Sequence, residues 1–161
     1  MAEPPAVDAS PIICLARSGM LDLLQVEGPR VIVPSAVAEE VTRGSRAAET
    51  IAALEDRPWI VVGDPLPCPP SVLAWDLDPG ESAVLAWALA HRGTVAILDD
   101  LVARRCAKAL GVPLCGTLGL VLRARQRGLI PSAREAVEKL LSAGLYLSES
   151  VIRQVLALVG E

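Results

Sequence analysis

Acidic side chains fall at the places where an α/β chain builds an active site. Asp8 follows the apolar pair Ala6-Val7, and Asp99-Asp100 follows the apolar run from Thr94 to Leu98. If both runs are parallel strands, these carboxylates stand at strand carboxyl ends, where open sheets bind their ligands. Glu40 lies in the first two turns of a helix after the run ending at Val33, and Glu81 in the first turn after a proline-rich connector. Carboxylates of this kind that converge on one crevice can hold Mg2+ or Mn2+. Such hard cations take oxygen ligands and keep waters and substrate phosphate in their remaining positions.

Each acid also has a plainer reason to exist. Asp8 could cap a helix, although Ser10 fills that role better. Asp78-x-x-Glu81 has the spacing of a capping box. Asp99 could cap the next helix, with Asp100 a first-turn acid favoured by the helix dipole. Glu39 and Glu40 are neighbours, so one of them faces away from the core. Two strand-end aspartates in separate βα units weigh against reading all of them this way. Other chemistries lack their residues. His91 is the only histidine, and Cys14, Cys68, Cys106 and Cys115 form no CxxC pair and no Cys/His cluster. Spacing excludes a zinc site.

The elements that must position these acids alternate along the chain. Strands are predicted at Ala6-Val7, 30–33, 59–62, 94–98 and 112–115. Helices are predicted from Ser10-Pro11 to Gly19, from Pro34-Ser35 to Gly44, over 45–55, from Asp78 to about His91, from Asp99 to Gly111, and from Gly116-Thr117 to Gly128. Residues 64–77 contain Pro65, Pro67, Pro69 and Pro70 and read as an extended connector. Two more helices follow Pro131-Ser132 and Ser148, and the last carries an apolar stripe, Val151, Ile152, Val155, Leu156 and Val159, read as core cover. This alternation predicts an α/β three-layer sandwich with a mainly parallel central sheet and a helical C-terminus. Residues 1–161 read as one domain, with 131–161 a C-terminal helical extension.

Composition bounds the rest. The chain has 161 residues, 52% of them hydrophobic, and a formal charge of −4 from 15 basic and 19 acidic side chains. Its mean hydropathy is +0.45. The longest uncharged run, Ala109 to Leu122, has 14 residues and is too short to span a bilayer. Met1-Ala2-Glu3-Pro4-Pro5 has neither the basic nor the apolar segment of a signal peptide, and the unpaired cysteines fit a reduced cytoplasm. The net acidity disfavours a nucleic-acid partner at first sight, but acids that hold cations are counted without their cations.

Four segments in order carry a family resemblance: Val7-Asp8-Ala9-Ser10-Pro11-Ile12-Ile13, Val33-Pro34-Ser35-Ala36-Val37-Ala38-Glu39-Glu40-Val41, Asp78-Pro79-Gly80-Glu81-Ser82-Ala83-Val84, and Ile97-Leu98-Asp99-Asp100-Leu101-Val102-Ala103-Arg104. With Gly116-Thr117-Leu118-Gly119 and Gly128-Leu129-Ile130-Pro131, the set resembles the motifs of PIN-domain ribonucleases, in a toxin-like branch of that superfamily. The resemblance implies an endoribonuclease that cleaves single-stranded or structured RNA with Mg2+ or Mn2+. Its four acids would be Asp8, Glu40, Glu81 and Asp99, with Asp100 and Glu39 as ambiguous neighbours. It also implies a small antitoxin-like protein and a second copy of the chain as partners. Ser10 or Arg104 could contact phosphate.

Three other readings compete. A chain that kept the fold without activity would be a binding module, and the C-terminal helices could dock a partner in either case. A phosphoacceptor receiver domain needs paired acids after the first strand and a Lys after the fifth; here Asp8 stands singly and no Lys follows Leu114-Cys115. The only aromatics are Trp59, Trp75, Trp87 and Tyr146, with Trp59 and Trp87 read as core. A base-stacking platform is therefore not expected, and phosphate contacts and shape would carry recognition.

Overall fold

The computed structural model describes residues 2–161. Five parallel strands form one sheet: β1 (Ala6–Val7), β2 (Val31–Pro34), β3 (Ile60–Gly63), β4 (Ala96–Ile97) and β5 (Leu114–Cys115), in the order β3-β2-β1-β4-β5. Ala6 pairs with Ile32 on one side and with Ala96 on the other, so β1 is the central strand. From β1 the chain first builds outward through β2 and β3, then crosses back to β4 and β5. That reversal opens a crevice beyond the carboxyl ends of β1 and β4.

Helices cover the sheet: α1 (Ala9–Arg17), α2 (Ser35–Val41), α3 (Ala47–Glu55), α4 (Pro70–Leu73), α5 (Pro79–Ala90), α6 (Leu101–Ala109), α7 (Thr117–Gln126), α8 (Ala133–Ser142) and α9 (Glu149–Ala157), with a 3-10 helix at Leu21–Val26. The predicted α/β sandwich with a parallel sheet and a helical end is the architecture found. Gly19 and Gly128 stop their helices at φ 72° and 71°, a conformation that costs glycine little. Ser132 and Ser148 cap α8 and α9, each accepting a backbone N–H at 3.2 Å.

Several boundaries differ from the sequence expectation. The paired part of β4 is Ala96–Ile97, not 94–98, although Leu98 is fully buried and its N–H still reaches Cys115 O at 3.0 Å. Apolar runs report burial, which extends past the ladder. Helix α1 begins at Ala9, so Asp8 and not Ser10 holds the N-cap position, and Pro11 is accommodated in the first turn, where an N–H has no intrahelical acceptor. Within the 64–77 connector, Pro70 opens the short helix α4.

The core is continuous from sheet to C-terminus. Val7, Val33, Ile97 and Leu98 are buried in the same apolar cluster as Ala133, Val137 and Leu140 of α8 and Leu156 of α9. Of the C-terminal stripe, Val155 and Leu156 are buried, Ile152 and Val159 half-buried, and Val151 exposed. Trp59 and Trp87 pack against the core half-buried, and His91 ends α5 stacked on Trp87 at a centroid distance of 4.3 Å. Among the described residues, no helix is long and apolar enough to cross a membrane.

One contact fixes α5 against the sheet. A Cβ on Gly63, the last residue of β3, would lie 2.7 Å from the Trp87 ring and 3.0 Å from Ile32 Cγ2. Gly63→Ala is expected to lower stability by about 1–3 kcal/mol through this overpacking. Chemical denaturation checks this; a variant as stable as the parent would show that α5 is not held here.

Candidate metal centre

Asp8 is the innermost member of the centre. Its N–H donates to Ile97 O at 3.1 Å, which fixes the residue beside β4 as the chain turns from β1 into α1. The residue is 5% exposed, makes no side-chain cap bond, and its Oδ1 is buried without any hydrogen-bond partner. Burial of the carboxyl, with the negative charges of Asp78, Glu40 and Glu81 nearby, raises its pKa to about 7, against the lowering effect of the Ala9 backbone amide.

Glu40 comes from α2, the helix that follows β2. Burial and the charge of Asp78 raise its pKa, opposed by Arg43. Its neighbour Glu39 is exposed and lies 3.8 Å from Arg43. Of this adjacent pair, Glu40 therefore faces the crevice and Glu39 faces solvent.

The third acid brought to this place is Asp78, the N-cap of α5. One carboxylate oxygen each from Asp8, Glu40 and Asp78 lie within 4.8 Å of one another. Asp76, in the left-handed conformation at φ 52°, turns the chain out of α4 towards Asp78. Gly80 allows the close approach, because a Cβ there would stand 2.5 Å from Glu40 Oε2 and 3.0 Å from Asp8 Oδ1.

The other predicted acids are arranged differently. Glu81 is 8% exposed and belongs to the expected capping box: its N–H donates to Asp78 Oδ1 at 2.9 Å, and its Oε2 accepts the Asp78 N–H at 3.3 Å. Burial, then the charges of Asp78, Asp100 and Glu40, raise the Glu81 pKa to about 7. Asp99 uses both oxygens on the start of α7, accepting from Thr117 N at 2.8 Å and from Thr117 Oγ1 at 2.6 Å. Asp100, not Asp99, caps α6, accepting the Ala103 N–H at 3.0 Å. The alternative reading of Asp99 as the cap of this helix is not what is found: its carboxylate is bonded to Thr117, distant in sequence.

Of the proposed phosphate contacts, Ser10 is exposed in the first turn of α1. Arg104 donates from Nη1 to Leu98 O at 2.9 Å, close to the place where a Gly116 Cβ would stand. Its guanidinium thus lies with Asp99 and Gly116 at the carboxyl ends of β4 and β5.

The centre fits a hard divalent cation on three grounds. Its donors are all carboxylate oxygens, Asp8 Oδ1 is buried and unpartnered, and Gly80 leaves space between Glu40 and Asp8. Sequence reasoning gave Asp78 only a capping role. The missed signal is that a cap bond engages one carboxylate oxygen and leaves the other for a second task.

A family model described as a PIN domain matches residues 5–161, and the chain belongs to the PIN-domain family. PIN domains are in general metal-dependent nucleases, so the fold is a nuclease fold and the acidic cluster could bind metal. Among curated proteins, none matches this chain.

Two outcomes follow from this geometry. A carboxyl with its folded pKa near 7 and an unfolded value near 4 holds more protons folded than unfolded between those limits, so it lowers stability as pH rises through that window. In metal-free buffer the melting temperature is therefore expected to fall from pH 5 to pH 8. Asp8→Asn should remove about 2 kcal/mol of that loss at pH 8; parallel pH profiles for parent and variant would contradict it. Gly80→Ala is expected to fold with a stability within about 1 kcal/mol of the parent, because the gain in helix propensity is offset by crowding of Glu40 and the buried Asp8. It should nevertheless bind Mn2+ more weakly, since the new methyl displaces the flexible Glu40 carboxylate; unchanged affinity in a titration would contradict the close approach.

Proposed function

We propose that this protein is an endoribonuclease that hydrolyses RNA phosphodiester bonds at the crevice beyond β1 and β4, dependent on Mg2+ or Mn2+. The observation that carries the proposal is the buried, unpartnered oxygen of Asp8 facing other carboxylates in a chain of the PIN family. Asp8, Glu40 and an acid from the start of α5 would hold the cation. The bound ion would supply a water of lowered pKa for in-line attack and would neutralise charge on the phosphate.

The chain's own groups set the geometry. The Asp8 N–H donates to the Ile97 carbonyl, which holds the backbone of Asp8 at the carboxyl end of β1 beside β4. Asp99 ties the first residue of α7 to the end of β4 through two hydrogen bonds. It thereby acts on position, orienting the wall that carries Gly116 and Arg104. Arg104 spends one Nη donor on Leu98 O and keeps others for a phosphate oxygen. With only four aromatic residues in the chain, phosphate contacts and shape would carry most of the selection of a substrate. Support for a toxin role, with a small antitoxin-like partner, comes from the resemblance of the motifs.

Cleavage of a mixed RNA panel in Mn2+, with matched single-stranded DNA as comparison, tests the proposal. The parent is expected to cut RNA and Asp8→Asn to be slower by at least about 100-fold. Equal rates for parent and variant, or cutting of DNA alone, would overturn it.

A further inference from the structure

The family motif places an acid on Glu81, whereas the carboxylates that meet in space include Asp78. Both residues start α5, three positions apart, and the capping box ties them together. Asp78 Oδ1 accepts the Glu81 N–H, and Glu81 Oε2 accepts the Asp78 N–H. The division of labour between them is nonetheless unequal. Glu81 is buried, its carboxylate returns to the backbone of Asp78, and it supplies no oxygen to the 4.8 Å group. Asp78 is exposed to the crevice, supplies an oxygen to that group, and uses only Oδ1 in the capping bond. The unpartnered Asp8 Oδ1 faces the same space, because the Cβ that Gly80 lacks would stand 3.0 Å from it and 2.5 Å from Glu40 Oε2. A cation there would meet an exposed donor from Asp78 and a buried one from Asp8.

We propose that Asp78 is a direct ligand of the divalent cation and that Glu81 is a positioning residue, holding Asp78 in place through the capping box. The inference rests on the metal-dependent reading of the site and assigns the α5 ligand within it. A capping box has a useful property for testing this. Asn caps a helix as well as Asp does, and Gln replaces Glu in the box. Asp78→Asn and Glu81→Gln therefore each remove a charge and keep the fold.

Free Mn2+ measured by electron paramagnetic resonance during titration of the metal-free protein gives the affinity, with melting temperatures recorded alongside. Asp78→Asn is expected to melt within a few degrees of the parent and to bind Mn2+ at least about 10-fold more weakly. Glu81→Gln should bind within about threefold of the parent. Glu81→Ala, which cannot return the bond to the Asp78 N–H, should bind more weakly than Glu81→Gln, the difference expected of a positioning role. If Asp78→Asn does not fold, Asp78→Ser, also a good cap, provides the same comparison.

Weakening in Glu81→Gln as large as in Asp78→Asn would overturn the assignment, as would parent-like binding by Asp78→Asn. Asp8→Asn separates this from failure of the underlying reading. If Asp8→Asn binds Mn2+ as the parent does, the metal-dependent function itself is wrong. If Asp8→Asn loses binding while Asp78→Asn keeps it, only the assignment of Asp78 falls.

Discussion

The structure depends on a carboxyl group placed where the fold gives it no partner. Asp8 sits at the carboxyl end of the central strand, beside the point where the strand order reverses, with one oxygen sealed from water and without a hydrogen bond. An ionised carboxylate in such a place is costly unless compensated, and the surrounding acids add to the cost. Asp8 therefore holds its proton to near neutrality in the metal-free chain. A divalent cation bound there would offer the opposite compensation, favouring the charged state of Asp8 beside Glu40 and Asp78. On the proposed reading a proton and a cation would compete for one buried site, which would link stability, pH and metal binding through one residue.

Around that constraint the fold is arranged to bring acids from separate segments together. Glu40 arrives on the helix after β2, and Asp78 on the cap of the helix that crosses back over the sheet. Two glycines make the convergence possible. Gly63 lets the Trp87 ring settle on the end of β3, which sets α5 against the sheet, and Gly80 removes the methyl that would separate Glu40 from Asp8. On the other side of the crevice, Asp99 gives both oxygens to Thr117 and so fixes the start of α7 near Arg104. Asp8, Glu40 and Asp78 thus meet at one place, while Asp99 gives its carboxylate oxygens to the start of α7.

Much of this was legible in the chain. The parallel sheet followed from apolar runs alternating with helical segments, and Asp8 was marked by its place directly after Ala6-Val7. The capping boundaries of α5, α8 and α9 could be read because a cap is a local interaction among residues a few positions apart. What could not be read depends on contacts between distant segments. The engagement of Asp99 by Thr117 spans 18 positions and moved the cap of α6 to Asp100. The dual position of Asp78, in a capping box and in the carboxylate cluster, becomes visible only when Glu40 is placed against it. Ser10 does not cap α1 because Asp8 already occupies the non-helical position at the start of that helix, although its side chain makes no capping bond.

Anomalous diffraction from crystals soaked in Mn2+ tests the central claim most directly. The expected result is a peak in contact with carboxylate oxygens of Asp8, Glu40 and Asp78. Mn2+ bound elsewhere, with Asp8 Oδ1 still unpartnered at a pH where the carboxyl is ionised, would contradict it.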